Sequence, residues 1–173
     1  MTLQELLSKK KNIILDRCLD LLFDTYPEES AALLQNRNDS FSNPVGSTFH
    51  REIEVLFDGL AAGTDTKELL PALDAIVRIR AVQEFRPSDA VSFIVQFKKA
   101  VREELSDACQ GHELASDLAR IESRIDELTL ATFDLYVECR EKIAEIRVHE
   151  ARSERDRLAR VVRAMTQGHG KHE

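Results

Sequence analysis

A chain of 173 residues has room for one domain with a sizeable core, or for a smaller domain followed by an extended helix. Hydrophobic residues make up 43% and charged residues 32%, with 6 Gly, 4 Pro and no Trp; few breakers and much Leu, Ala, Glu and Arg favour helix almost throughout and disfavour a β-rich fold. A formal charge of -7, from 31 acids against 24 bases, argues against nucleic acid and anionic membranes as partners.

Thr2 with Glu5 three residues later matches a capping box, and Leu3, Leu6, Leu7, Ile14, Leu15, Leu19, Leu22 and Phe23 keep a helical period to about Asp24. Lys9, Lys10 and Lys11 inside it read as a solvated face. Tyr26-Pro27 breaks this helix, and Pro27-Glu28-Glu29 opens a short one ending near Gln35. From Asn36 to Pro44 the periodicity is lost, and Phe41 in that loop is expected to tuck onto the core.

Asn43 caps the next helix with Pro44 in its first position, and Val45, Phe49, Ile53, Leu56, Phe57 and Leu60 carry it to Gly63. Asp65 or Thr66 caps a turn, after which Pro71 is expected to start a further helix. The stretch from Asp74 to Leu105 then reads as two core helices meeting at Arg86-Pro87-Ser88. The first carries Ile76, Val77, Ile79, Val82 and Phe85; the second carries Ala90, Ile94, Phe97, Val101 and Leu105 on one face, widened by Val91, Phe93 and Val95.

Gln110-Gly111 stops the second core helix. From His112 to about Met165 there is neither Pro nor Gly, which predicts one helix of some 50 residues, too long for a compact domain. Up to about Ile146 it has apolar positions enough to pack on the core; from Arg147 to Arg160 almost everything is charged, so this part is expected to project. The expected division is a helical domain at 1–140, a projecting signalling and dimerisation helix at 141–166, and a disordered tail at 167–173.

No catalytic or metal motif stands out. The five histidines show no HxxxH or HExxH spacing, and the tail holding His169 and His172 is a weak metal site at best. No enzyme activity, cofactor or metal is therefore expected. Cys18, Cys109 and Cys139 are three scattered thiols without a CxxC pair, which suits a reducing compartment, with cytoplasm as the expected location. No apolar run is long enough to span a bilayer, and the N-terminus lacks the signal-peptide pattern.

Two constellations remain. Arg78, Arg80 and Arg86 stand near Glu84 and Asp89 at the junction of the core helices, where arginines either pair with neighbouring carboxylates or hold a ligand carboxylate or phosphate. Pairing of the charged helix in a parallel dimer would bury Ile143, Ile146, Leu158, Val161 and Met165, which makes a homodimer the expected assembly. His50, beside Phe49 and Ile53, is the one position that a haem or tetrapyrrole in a globin-like pocket would use. A structural partner-binding helical module is a further alternative.

The segments NPVGSTFHREIEVLFDGL and LLPALDAIVRIRAVQEFRPSDAVSFIVQFKKAVREEL, in this order, resemble the N-terminal domain of RsbRD-type RsbT co-antagonists, the sensor domains of the bacterial stressosome. The likeness covers about residues 10 to 140. It implies a non-enzymatic sensor, a non-haem globin-like or helical bundle, that dimerises and signals to protein partners of a stress-response pathway through its C-terminal helix. Family members usually continue into a STAS domain; its absence after this helix implies a stand-alone sensor or adaptor.

Overall fold

The computed structural model describes residues 2–36, 42–83, 85–106 and 112–169, with the side chains of the last helix described from 113 to 165. Phe41, Glu84, Cys109, Gly111 and His172 lie outside the described residues, as does the His169 side chain. The chain is all-α: the described residues form six helices and no strand. None of these helices is long and apolar enough to cross a membrane.

Helix α1 (Leu3–Phe23) begins with the expected capping box, Thr2 and Glu5 each bonding the other's backbone N–H. Its lysines are not simply a solvated face. Lys11 Nζ lies 2.8 Å from carboxylate oxygens of both Glu54 and Asp58 on α3 (Pro44–Ala62), and Lys10 donates to the Glu104 carbonyl on α5 (Pro87–Leu105). The bond to Asp58, with Glu54 beside it, holds the Lys11 ammonium above the usual lysine pKa.

Between α2 (Glu28–Gln35) and α3 (Pro44–Ala62), Asn43 acts at two helix ends together. Its amide oxygen accepts from the Gly46 N–H, while its Nδ2 donates to the carbonyls of Leu33, Leu34 and Asn36 at 2.8–3.2 Å. A Cβ at Gly46 would stand 2.4 Å from the Leu34 carbonyl oxygen, so only glycine lets the helices approach this way. The NPVG segment is thus a clamp between α2 and α3 as well as a cap. At the other end of α3, Gly63 has φ 76°, the left-handed conformation that stops a helix.

Helix α4 runs unbroken over Thr66–Val82 with Asp65 as its cap, so Pro71 does not start a helix. The proline removes a hydrogen bond to the Lys67 carbonyl, but it is exposed and water can satisfy that group, while Leu69, Ala72 and Leu73 on the buried side keep the helix on the core. Helix α5 (Pro87–Leu105) begins at a proline, as expected. Val82 and Val95 are 64% and 53% exposed: the first ends α4, and the second turns away from the Ile94, Phe97 and Val101 stripe.

Helix α1 packs on α3 and α5, α3 on α4, and α6 (His112–His169) lies along α4 and α5. At 58 residues, α6 is about 87 Å long at the usual 1.5 Å rise. Leu118, Ile125, Leu128, Thr132 and Tyr136 bury its inner half, and Ile143 is the last residue packed against the core. Ile146, expected among the packed positions, is 58% exposed because the core ends one turn earlier.

Candidate functional site

On α4 the buried positions Leu73, Ile76 and Val77 are followed at the same helical spacing by Arg80. Its side chain is fully buried. A guanidinium there needs partners for its N–H groups, and those among the described residues come from three directions. Nε donates to the Ala90 carbonyl at 2.8 Å and Nη2 to the Asp89 carbonyl at 2.7 Å, while Nη1 and Nη2 share the Thr25 hydroxyl oxygen at 3.1 Å. The rings of Phe85 and Tyr26 lie 4.5 and 5.3 Å from the guanidinium carbon, within cation–π range.

One buried cation therefore joins the end of α1, the end of α4 and the first turn of α5. Burial draws its pKa below the ordinary guanidinium value, opposed by Tyr26 and Asp89. Arginine nevertheless remains a cation. Beside this knot is a cleft of about 370 Å³, lined in part by Tyr26, Leu33, Asn43 and Gln83. The Tyr26 hydroxyl donates to Gln83 Oε1 at 2.7 Å, so the cleft wall and the Arg80 knot share a side chain.

The next residue on α4 is held from a different direction. Arg140 of α6 donates to the Ala81 carbonyl at 2.9 Å, one of the last carbonyls of α4. Four turns earlier on α6, Arg124 does the same for α3, donating to the Leu60 carbonyl at 3.1 Å and to that of Thr64. Bidentate Arg102–Glu122 and Lys98–Asp126 pairs tie α5 to α6, and the first holds the Glu122 carboxyl below its usual pKa.

The three arginines of the sequence reading are distributed unequally. Arg80 and Arg86 meet at Asp89, whose carboxylate accepts from Arg86 Nε at 2.8 Å, whereas Arg78 is two residues from Arg80, on another face of α4, and pairs with Asp74. Of the candidate dimer residues, Ile143 is half-buried on the core, and Ile146, Leu158, Val161 and Met165 are exposed. The His50 ring packs edge-on to Phe23 with centroids 5.6 Å apart, beside a cleft that carries Ser47, Arg51 and Glu54.

Cys18 is buried, which pushes its thiol up to about 12, and Cys139 is half-buried and raised for the same reason. Among the described residues no group of three His, Cys, Asp or Glu side chains is placed to hold a metal ion. Thr25, Tyr26, Arg124 and Arg140 are parts of the arrangement that sequence reasoning missed. Arg80 itself carried a readable signal, since its spacing from Ile76 and Val77 puts it on the buried stripe.

No solved structure matches the chain. An uncharacterized protein of Archaeoglobus fulgidus is 26% identical over 96 residues, which are 55% of this chain and 60% of that relative, so the match spans about three-fifths of the relative's length. Residues 13–152 match the family described as the RsbT co-antagonist protein rsbRD N-terminal domain, a regulatory rather than an enzyme family. The match runs through the Arg80 knot and into the projecting part of α6, and the chain belongs to this family.

Proposed function

We propose that the protein is a non-enzymatic sensory or signalling-adaptor protein of a stress-response pathway, cytoplasmic and homodimeric, which passes a change in packing around Arg80 to a protein partner through α6. The observation that carries this reading is that two consecutive residues face different clients. Arg80 binds the ends of α1 and α5, and the Ala81 carbonyl is held by Arg140 of α6. Arg140 lies one turn before Ile143, where α6 leaves the core. A shift of the α4 end thus reaches α6 at its exit.

The input is a small molecule or a protein segment entering the cleft at Tyr26 and Gln83, with Arg80 as the group that responds and Arg86 beside it at Asp89. Coupling through a packed network of this kind needs a demonstration that one site biases the other. Arg80→Met keeps an unbranched side chain in the core and removes the guanidinium. Hydrogen exchange should then quicken in α6 around residues 137–145 relative to the unsubstituted protein, while the Ile125–Leu128 region stays protected. Unchanged exchange at the α6 exit would overturn the relay.

A further inference from the structure

The ion pairs between α5 and α6 fix how the two helices lie against each other. Arg102 meets Glu122 and Lys98 meets Asp126, so a step back along α5 goes with a step forward along α6, and the helices run antiparallel. Continued by one and two turns, this register sets Val95 beside Leu130 and Val91 beside Phe133. On α6, Glu122, Asp126, Leu130, Phe133 and Val137 follow at steps of three or four and fall within an arc of roughly 80°, so they share one side of the helix. The ion-paired end of the seam thus gives way to an apolar one. Leu130 is 71% and Phe133 51% exposed, Val95 and Val137 are exposed beside them, and Val91 is half-buried on the core. Single apolar residues on a surface are ordinary, but a contiguous patch across two helices marks a contact.

The flank of this patch away from α5 is acidic without interruption. Glu127, Asp134, Glu138, Glu141 and Glu145 lie within about 60° of one another around α6, and no lysine or arginine between them in the chain shares that arc. Among the described residues Glu127 accepts from the Thr66 hydroxyl, and none of the other four makes an ion pair. The bases around the patch are engaged elsewhere: Lys98 with Asp126, Lys99 with Glu103, Arg78 with Asp74 and Arg140 with the Ala81 carbonyl. Lys142 stands on the next face of α6. Carboxylates in line along an edge of about 27 Å, with no base among them, make a negative stripe that attracts cations.

We propose that this seam is the docking surface for an amphipathic helix of a partner protein, with large apolar side chains on the face it turns to Val95, Leu130, Phe133 and Val137 and lysines or arginines along one margin. Such docking rests on the signalling role proposed above and gives its partner a chemistry. An extended peptide gains its main-chain bonds at a sheet edge, and the described residues form no strand. A helix needs no such edge. Laid in the trough between two helices it inserts side chains at i, i+3, i+4 and i+7, and about five turns of it match the acidic edge from Glu127 to Glu145. Phe133 is the aromatic anchor, and the carboxylates select a basic partner over an acidic one. Arg140, one turn beyond Val137, holds the Ala81 carbonyl, so the docked helix lies against the part of α6 that is tied to the end of α4.

The probes are a labelled helical peptide of about five turns, with leucines on one face and lysines along one flank, and its twin with glutamate for every lysine, read by fluorescence anisotropy. The lysine peptide should bind the full chain at micromolar concentration and the glutamate twin about tenfold or more weakly, with the difference shrinking as salt is raised. Phe133→Ser and, separately, Leu130→Ser should each weaken the lysine peptide about tenfold; both side chains are exposed, so circular dichroism should show an unchanged fold. Asp134→Lys with Glu138→Lys should do the same, while the equal charge change at the exposed Asp20 and Asp24 of α1 should stay within about twofold. Equal binding of the two peptides, or an equal loss in the α1 variant, overturns the docking, because net charge alone would then explain the binding. No binding overturns it too, and if Phe133→Ser also turns a dimer into monomers in light scattering, a second copy is what covers this face. Arg80→Met should leave the peptide bound within about twofold, so failure of the relay and failure of the docking surface are told apart.

Discussion

The two halves of α6 are one uninterrupted helix in two different environments. The inner half has Ile125, Leu128 and Thr132 fully buried against α4 and α5, and its Arg124 and Arg140 reach across to close the ends of α3 and α4. In the outer half every residue from 144 to 165 is exposed, and the ion pairs Arg155–Asp156 and Arg157–Glu154 stay within the helix. Freedom from Pro and Gly makes both halves helical. Packing on a core stabilises only the inner one, and most helical stability in proteins comes from such packing. The arginines of α6 therefore act in two ways: inside they hold carbonyls of other helices, and outside Arg155 and Arg157 pair with carboxylates of their own helix.

The largest expected effect separates the halves by truncation of one leucine in each. Leu128→Ala removes a side chain with no exposure and should lower stability by about 2–5 kcal/mol in urea unfolding, whereas Leu158→Ala, 56% exposed, should change the monomer's stability by less than about 0.5 kcal/mol. Comparable losses at the two positions would mean that the outer half is packed within its own chain, and the contrast drawn above would be wrong. A smaller effect is expected at the boundary. Arg140→Gln removes a charged donor from the Ala81 carbonyl and should cost about 1–2 kcal/mol, with faster exchange of the last turn of α4. A loss confined to α6 would show that Arg140 steadies its own helix and not the end of α4.

Much of this division was legible beforehand, because it rests on local rules. The Thr2 capping box, the Asn43-Pro44 start, the Gly63 stop and the apolar period each depend on a few neighbouring residues, and so does the change of composition after Ile146. Pro71 and Ile146 show how local readings fail where tertiary packing decides. Pro71 reads as a start, yet Leu69 and Leu73 bury on either side of it and carry the helix through. Ile146 reads as a core position, but it lies beyond Ile143, where the core ends, and is exposed.

The site was legible only in outline. Arg80 and Arg86 were placed at the junction, but Thr25 is 55 residues from Arg80 and Arg140 is 59 from Ala81, and no helical period relates residues so far apart in the chain. The arginine that matters most in the fold differs from its neighbours by facing inward, which the Ile76, Val77, Arg80 spacing does encode. Residue type alone does not.

The smallest effect tests whether the outer half's charges hold the helix or only decorate it. Arg157 Nη2 is 3.9 Å from Glu154 Oε1, one turn away, and both side chains are about two-thirds exposed. An exposed pair at that distance contributes a few tenths of a kcal/mol, and alanine has a helix propensity as good as or slightly better than arginine's. The two terms oppose each other, so Arg157→Ala should leave helix content by circular dichroism and stability in urea unchanged within about 0.5 kcal/mol, at low and at high salt. A loss of helix that grows with salt would show that internal ion pairs carry the outer half.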